Sequence, residues 1–322
     1  MKLSWFSSPF ALGVASLSLG LILTLFITWQ AGRSDRDALH TAMAQRAEGL
    51  STEISQRLRL YTYGLRGVRG HILTAEEEGT SRAGFLRYSQ SRDIDLEFPG
   101  ARGFGFIRRV AADQVDDFVA QARADGFADM EVRQITGHTG DRYVIQYTEP
   151  YDRNHQAIGL DVASEIHRRR AAVAAMRSGN AQLTAPITLL QASVYHQQSF
   201  LILLPVYRTG MTPATEAARV DSTIGWGYVA LLMQDVLKDL PLEPRFFSLE
   251  LFDVTDHQRI NFFRSAKPAQ ASSSMSSVDA GAAVQSLSFD VLGRRWQMAL
   301  QPTPAFAKSV ERFDFLQVFG LG

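Results

Sequence analysis

An apolar stripe at helical spacing is the sequence feature that most limits what this chain can fold into. Its residues follow one another at intervals of three or four: Met43, Ala47, Leu50, Ile54, Leu58, Tyr61, Leu65, Val68 and Ile72. This spacing puts all of them on one face of an α-helix, close to a heptad seam. The stripe therefore predicts a long stalk helix over residues 30–76. Two partners for its apolar face stay open, the rest of the same chain or the same helix of a second copy.

The residues before the stripe form an uninterrupted apolar run. Residues 10–29 contain no charged side chain, and about 20 apolar residues are enough for a helix to cross a membrane. Trp5 and Trp29 flank the run, as aromatic residues do at membrane interfaces. The run is also longer than the apolar part of a cleaved signal peptide. We therefore predict a transmembrane helix over residues 10–29, whose orientation the flanking charges leave open.

Composition excludes several classes of function. Lysine plus arginine and aspartate plus glutamate both number 33 in a chain of 322 residues. Without a basic excess there is no reason to expect nucleic acid as a partner. The chain has no cysteine, which excludes disulfides, thiolate metal sites and cysteine nucleophiles. A length of 322 residues suggests about two domains.

The sequence carries no motif of a known catalytic or metal centre. None of the seven histidines stands in an HExxH pattern, and no GxSxG, SxxK or phosphate-binding glycine motif is present. We therefore predict no metal, no cofactor and no catalytic residues. One enzymatic alternative is an anchored hydrolase that uses Asp141, Asp161 and His155 for acid–base chemistry. Turn and cap roles for these residues are the simpler explanation.

The stretch over residues 143–207 predicts the centre of the fold. Residues 143–147 favour a strand, residues 164–177 have helix-forming composition, and Gly179 follows at the position of a helix-ending glycine. Residues 200–207 form an apolar strand fit for burial on both faces. This order predicts a curved sheet with a helix across it, which encloses a small pocket. Four tyrosines line that pocket or belong to the core: Tyr147, Tyr151, Tyr195 and Tyr207.

The C-terminal part predicts a second, smaller unit. Residues 208–221 are rich in Thr, Pro and Ala, and we interpret them as the joint between a first unit at 77–221 and a second at 222–301. Strands are predicted at residues 224–231 and 246–253, and a closing hairpin is predicted to turn at Leu292 and Gly293. Residues 302–322 become apolar again, which we interpret as the start of a second membrane span. An amphipathic tail next to the membrane is the alternative.

The middle of the chain resembles the CHASE domain, the extracytoplasmic sensory module of bacterial and plant receptors that include the cytokinin-receptor histidine kinases. The resemblance covers residues 67–240 and rests on PGARGFGFIRRV, YTEPYDRNHQAIGLDV, LTAPITLLQ and the final PVY. It implies an α+β fold, with an N-terminal transmembrane helix and a stalk helix before two PAS-like units. The membrane-distal unit would bind the ligand, and the other would lie next to the membrane.

The resemblance also implies a function. The chain would be the periplasmic small-molecule sensor of a bacterial inner-membrane receptor, passing its signal to a cytoplasmic kinase, cyclase or phosphodiesterase. This location also implies that residues 1–9 are a cytoplasmic N-terminus. We expect that output domain to lie outside this sequence. The stripe adds a homodimer through the stalk helix as an expected partner, besides the membrane and the ligand. An alternative of another class is a periplasmic interaction module without a small ligand.

Candidate site residues follow from matching the family's motifs. In cytokinin-binding members a helix aspartate bonds the adenine-like ring, and Arg168 takes its place here. The family's pocket leucine and threonine fall on Leu190 and Leu203. If Arg168 faces inward, a cationic guanidinium replaces a carboxylate acceptor, which argues against cytokinin and for an anionic ligand. If it faces solvent, residues 168–170 are a charged helix surface. Further candidates for binding the ligand are Phe106, Tyr147 and Tyr151. Candidates for the structural motif are Asp161, Thr184 and Pro186.

Overall fold

The stripe helix is the element on which the rest of the chain is assembled. The computed structural model describes residues 9–76, 80–187, 198–265 and 284–303, together with 305, 306 and 309. Helix α1 (Pro9–Glu76) has 68 residues, and every stripe residue is at most 1% exposed. The stripe shares one core with apolar side chains of two sheets, for example Phe106 and Trp296. The chain's own sheets therefore bury the stripe, which is the first of the two alternatives.

The prediction of an N-terminal transmembrane helix is wrong. The apolar run at residues 10–29 is the beginning of α1, but no helix in the described part of the chain is both long and apolar enough to cross a membrane. Most of the predicted return segment at residues 302–322 lies outside the described residues.

The first sheet has five antiparallel strands. They are β1 (Ala101–Val110), β2 (Arg142–Glu149), β3 (Gln182–Leu183), β4 (Ser199–Tyr207) and β5 (Thr223–Leu232), in the order β2-β1-β5-β4-β3. Strands β4 and β5 are buried at every position. Such continuously apolar strands fit the interior of a sheet that is covered on both faces, and both faces of this sheet are covered.

Short helices connect these strands. They are α2 (Arg82–Gln90), α3 (Ile94–Glu97), α4 (Val115–Ala124), α5 (Tyr151–Asn154), α6 (Ile166–Ser178), α7 (Glu216–Ser222) and α8 (Met233–Val236). Helix α6 lies on the face of the sheet that α1 does not cover. It ends at Gly179, whose φ of 79° is the left-handed conformation that glycine adopts without strain. The sequence predicted this glycine in this role.

The second sheet has four antiparallel strands. They are β6 (Phe247–Asp253), β7 (Ile260–Arg264), β8 (Gln285–Val291) and β9 (Arg294–Pro302), in the order β7-β6-β9-β8. Strands β8 and β9 form the predicted hairpin through Leu292 and Gly293. Both turn residues have positive φ, 46° and 79°, as a two-residue turn of this kind requires.

The structure moves the boundary that we predicted between the two units. Strand β5, which we assigned to the second unit at 222–301, lies between β1 and β4 in the first sheet. The segment that we interpreted as a domain joint at residues 208–221 instead contains α7 and connects two neighbouring strands of one sheet. A Pro- and Thr-rich loop has the same composition in either role, which is why composition misplaced the boundary.

The two sheets meet in a common core. Phe200 of β4, Phe262 of β7 and Trp296 of β9 form an aromatic group with ring centroids 4.5–5.7 Å apart. The hairpin turn of the second sheet also touches the edge of the first, because the Leu183 N–H donates to the Leu292 carbonyl at 2.8 Å. The second sheet is therefore attached to the first along β3 and β4 as well as through α1.

Candidate functional site

The two faces of the first sheet separate the predicted ligand residues. Leu203 belongs to the core beneath α6, whereas Phe106 and Tyr147 belong to the core against α1. Successive side chains of a strand point to opposite faces, so the face of each residue depends on its position in the strand. Phe106 and Tyr147 therefore cannot share a pocket with Leu203.

Two backbone carbonyls of helix α6 accept hydrogen bonds from side chains of the sheet. The Trp226 indole N–H donates to the Ala172 carbonyl at 2.9 Å, and the Tyr207 hydroxyl donates to the Met176 carbonyl at 2.8 Å. The side of α6 that faces the sheet carries small residues, since Ala171, Ala172 and Ala175 are all buried there. Small side chains allow the helix axis to approach the sheet closely.

Arg168 lies in the first turn of α6 and is buried, with 3% of its surface exposed. Its backbone N–H donates to the Glu165 carboxylate at 3.0 Å, and its Nε lies 3.8 Å from the same carboxylate. Burial lowers the pKa of Arg168, and the nearby Glu165 and Tyr228 partly oppose that shift. Arg170, two residues on, is exposed. Residues 168–170 are therefore not a uniform charged surface.

Two buried hydroxyl groups lie on the sheet in the neighbourhood of Arg168, whose charge acts on one of them, Tyr228. Tyr228 and Thr148 are each 3% exposed, and their side chains are hydrogen-bonded to each other. Burial raises the pKa of Tyr228, which therefore stays a neutral hydroxyl, while the charge of Arg168 works in the opposite direction. We call Glu165, Arg168, Tyr228 and Thr148 the Arg168 cluster. It offers a guanidinium and hydroxyl groups, which suit recognition of an anion.

Asp161 lies at the junction between β2 and α6 and is fully buried. One carboxylate oxygen accepts from the backbone N–H groups of Tyr143 at 2.9 Å and Ala163 at 3.0 Å. The other lies 2.7 Å from Nε2 of His138 and accepts from the Gln134 amide at 3.0 Å. These contacts hold the strand, the junction and the preceding loop together. Nothing in the sequence pointed to His138, which lies 23 residues away.

Of the remaining predicted residues, Thr184 and Pro186 lie just after β3, and Tyr151 lies in α5. Thr184 is fully buried, and its hydroxyl oxygen accepts from the Leu201 N–H at 3.0 Å, which ties β3 to β4. Pro186 is half-buried. Tyr151 is exposed, and the guanidinium of Arg82 lies 4.8 Å from the centre of its ring. Leu190 lies outside the described residues, as does Tyr195.

The three residues of the hydrolase alternative have separate partners. Asp141 binds Arg109 at 2.8 Å, His155 is exposed and contacts the Asp152 carbonyl at 3.2 Å, and Asp161 binds His138. The structure therefore gives no support to the hydrolase alternative. Among the described residues, no group of three or more His, Asp or Glu is arranged to hold a metal ion.

Tyr147 lies at a cleft on the opposite face of the sheet from the Arg168 cluster. The cleft has a volume of about 510 Å³ and is also lined by Arg108 and Asp125. The Tyr147 hydroxyl is 2.9 Å from the Thr80 carbonyl and 3.0 Å from the Asp125 carboxylate. These contacts and its burial mark Tyr147 as a core residue with a satisfied polar end.

Comparison with known proteins agrees with the motifs quoted from the sequence. A family model described as CHASE domain matches residues 78–263, which is more than half of the chain and includes the whole Arg168 cluster. A search of curated proteins found no match. CHASE domains have an extracytoplasmic sensory role in signalling receptors and are not catalytic. The resemblance expected from the sequence is thereby confirmed, and this chain belongs to the CHASE domain family.

Proposed function

We propose that this chain is the ligand-binding sensor region of a signalling receptor and that it binds an anionic small molecule at the Arg168 cluster. The observation that carries the proposal is the burial of Arg168 between α6 and the sheet. Burial of a charged side chain is costly, so a guanidinium at this depth serves a specific structural or recognition role. Membership of a sensory family makes ligand recognition the task that fits best.

The chemistry of the cluster supports a carboxylate or phosphate as the recognised group. A guanidinium binds such groups through two parallel, charge-assisted hydrogen bonds. Glu165 lies 3.8 Å from Nε of Arg168 and keeps 22% of its side chain exposed, so this pair is not a close, fully buried ion pair. The cluster argues against cytokinin, because a guanidinium has no acceptor for the ring N–H that the family aspartate binds.

The attachments of α6 support a route for the signal. A ligand at Arg168 contacts the first turn of α6, and α6 is bonded to β4 and β5 through Tyr207 and Trp226. The other face of these strands lies against α1. A ligand that favours one position of α6 would therefore shift the strands against α1 and, through α1, an output domain outside this sequence.

The test is ligand-dependent thermal stability of the full chain. We would measure the Tm of the protein and of Arg168→Gln with a panel of small carboxylates and phosphates. A ligand that binds only the folded protein adds about 2.7 kcal/mol at 100 times its Kd, which is a readily measured rise in Tm. Arg170→Gln is the matched control, because Arg170 is exposed on the same helix.

We expect at least one anion to stabilise the protein and the Arg170→Gln variant, and to lose its effect on Arg168→Gln. Stabilisation that persists in Arg168→Gln would refute the cluster as the site while leaving a sensor. A chain that no anion stabilises would contradict an anionic ligand and favour the alternative of an interaction module without a small ligand. Circular dichroism of each variant without ligand checks that it is folded.

A further inference from the structure

An aromatic stack joins α1, α2 and β2 on the face of the sheet opposite to the Arg168 cluster. The His71 ring of α1 lies parallel to the Tyr88 ring of α2, with centroids 4.9 Å apart and an angle of 11°. Its edge contacts Phe85 at 5.9 Å, and Phe85 stacks on Tyr147 of β2 at 5.2 Å. His71 is the only member of this group that changes its charge near neutral pH.

The surroundings of His71 suit a neutral ring and not a charged one. Its Nε2 atom is buried, and no described residue offers it a hydrogen-bond partner. A neutral imidazole leaves one ring nitrogen without a proton, whereas an imidazolium carries N–H groups on both nitrogens. Protonation would therefore leave a buried N–H of a cation without an acceptor, which is strongly unfavourable.

One charged neighbour of His71 also opposes a positive charge on the ring. Arg87 of α2 is the neighbour whose charge acts on the ring. Arg92 lies beyond Tyr88 and is paired with Glu97, and on the β2 side Asp125 is bonded to Tyr147. The residues three and four positions away on α1 itself are uncharged: Gly67, Val68, Thr74 and Ala75. Within the described residues, no carboxylate forms an ion pair with His71.

We propose that the stack of His71 on Tyr88 and Phe85 is a pH-sensitive contact that holds α2 against α1 when the imidazole is neutral and weakens when it is protonated. The strength with which α2 is attached to α1 then depends on the pH outside the cytoplasm. Because Phe85 stacks on Tyr147, the attachment of α2 to the β2 edge depends on it as well. It uses none of the residues of the ligand site proposed above.

The direction of the pH effect follows from the environment. Burial and Arg87 lower the pKa of His71 in the folded chain. The unfolded chain, with a histidine pKa of about 6.5, therefore takes up the proton first as the pH falls. The stabilisation that neutral His71 contributes to the folded chain is complete above about pH 6.5. It is lost as the pH falls from there towards the pKa of His71 in the folded chain.

The test is amide hydrogen exchange in residues 82–90 at about pH 7.5 and about pH 5, corrected for intrinsic exchange rates. We would compare the wild type with His71→Phe, which keeps a ring in the stack but cannot be protonated. His40→Phe is the matched control, since His40 is exposed on the same helix. We expect the protection of α2 to fall several-fold on acidification in the wild type and in His40→Phe, and to stay constant in His71→Phe.

An equal loss of protection in His71→Phe would overturn the proposal. A second measurement covers the case in which this variant does not fold. The NMR titration of the wild-type His71 ring should have its midpoint below about 6.5, the ordinary value of a histidine, because the ring is stacked among aromatic side chains and lies near Arg87. A midpoint at or above about 6.5 would equally refute the proposed contact.

Discussion

At the residue scale, Asp161 is a buried charge whose partners all belong to the protein. Its two oxygens accept from two backbone N–H groups and contact the side chains of Gln134 and His138. A carboxylate surrounded by donors in this way holds segments of the chain in place. The carboxylate beside Arg168 differs, since Glu165 keeps 22% of its side chain exposed.

Replacing this carboxylate should weaken the fold. Asp161→Ala leaves several buried donors without an acceptor, and each costs about 1–3 kcal/mol. We expect the free energy of unfolding in urea to fall by about 3 kcal/mol or more. Asp129→Ala serves as the control because Asp129 is exposed, and we expect it to stay within about 0.5 kcal/mol of the wild type. A similarly small loss in Asp161→Ala would show that water replaces the lost acceptor.

The sequence predicted on which elements several candidate residues lie, but not how they are grouped. Arg168 and Leu203 lie on one face of the sheet, as the family motif implied, yet Phe106 and Tyr147 lie on the other. Pockets and cores both use aromatic residues, and only the strand register decides which face they line. The register shifts between Phe106 and Ile107, and such a bulge cannot be located from apolar pattern alone.

At the element scale, α1 has no room for a side chain at Gly64. A Cβ atom at this position would lie 2.8 Å from the rings of Phe98 and Phe104. Gly70, two turns further along, would place a Cβ atom in open space. The two glycines therefore have different reasons to be present, and they form a matched pair for substitution.

The two glycines should respond in opposite directions to alanine. Gly64→Ala forces the aromatic rings or the helix to move, and overpacking of this kind typically costs about 1–3 kcal/mol. Gly70→Ala improves helix propensity and should raise the free energy of unfolding by up to about 1 kcal/mol. Urea unfolding measures both. Destabilisation of the same size in both variants would contradict the role of Gly64 as a contact point.

The predicted elements succeeded where a local rule applied. The stripe predicted α1, and its buried positions are the ones observed; the hairpin at Leu292 and Gly293 followed from turn chemistry. Strand β5 was assigned to the wrong unit because strand pairing between distant segments leaves no mark on composition. The transmembrane helix was wrong because no helix in the part of the chain that the structure describes is long and apolar enough to cross a membrane.

At the scale of the whole molecule, α1 is the common support of both sheets. Its stripe lies in the core that they share, and Arg57 donates to the carbonyls of Val236 and Asp239 in the segment that joins them. The homodimer through the stalk helix remains a prediction. The stripe is already buried, so a second copy has to use the outer face of α1, where Leu60 and Tyr63 are 40% and 63% exposed.

This dimer can be tested by placing charge on that outer face. We expect Leu60→Arg combined with Tyr63→Arg to shift the protein from dimer to monomer in sedimentation equilibrium. The dissociation constant of the dimer should rise at least about tenfold, because like charges then face each other across the contact. Met211→Arg is the control, since Met211 is exposed on a loop of the first unit. A mass that does not change in the double variant would contradict a dimer through this face.

The contact between the Leu292–Gly293 turn and β3 has a consequence for synthesis of the chain. Strand β3 has two residues and forms the edge of the first sheet, and the N–H of Leu183 is occupied by the carbonyl of Leu292. Unpaired sheet edges invite strands of other chains. On the ribosome, β3 emerges long before its partner turn, so a nascent chain carries an unprotected edge until the last hairpin has been made.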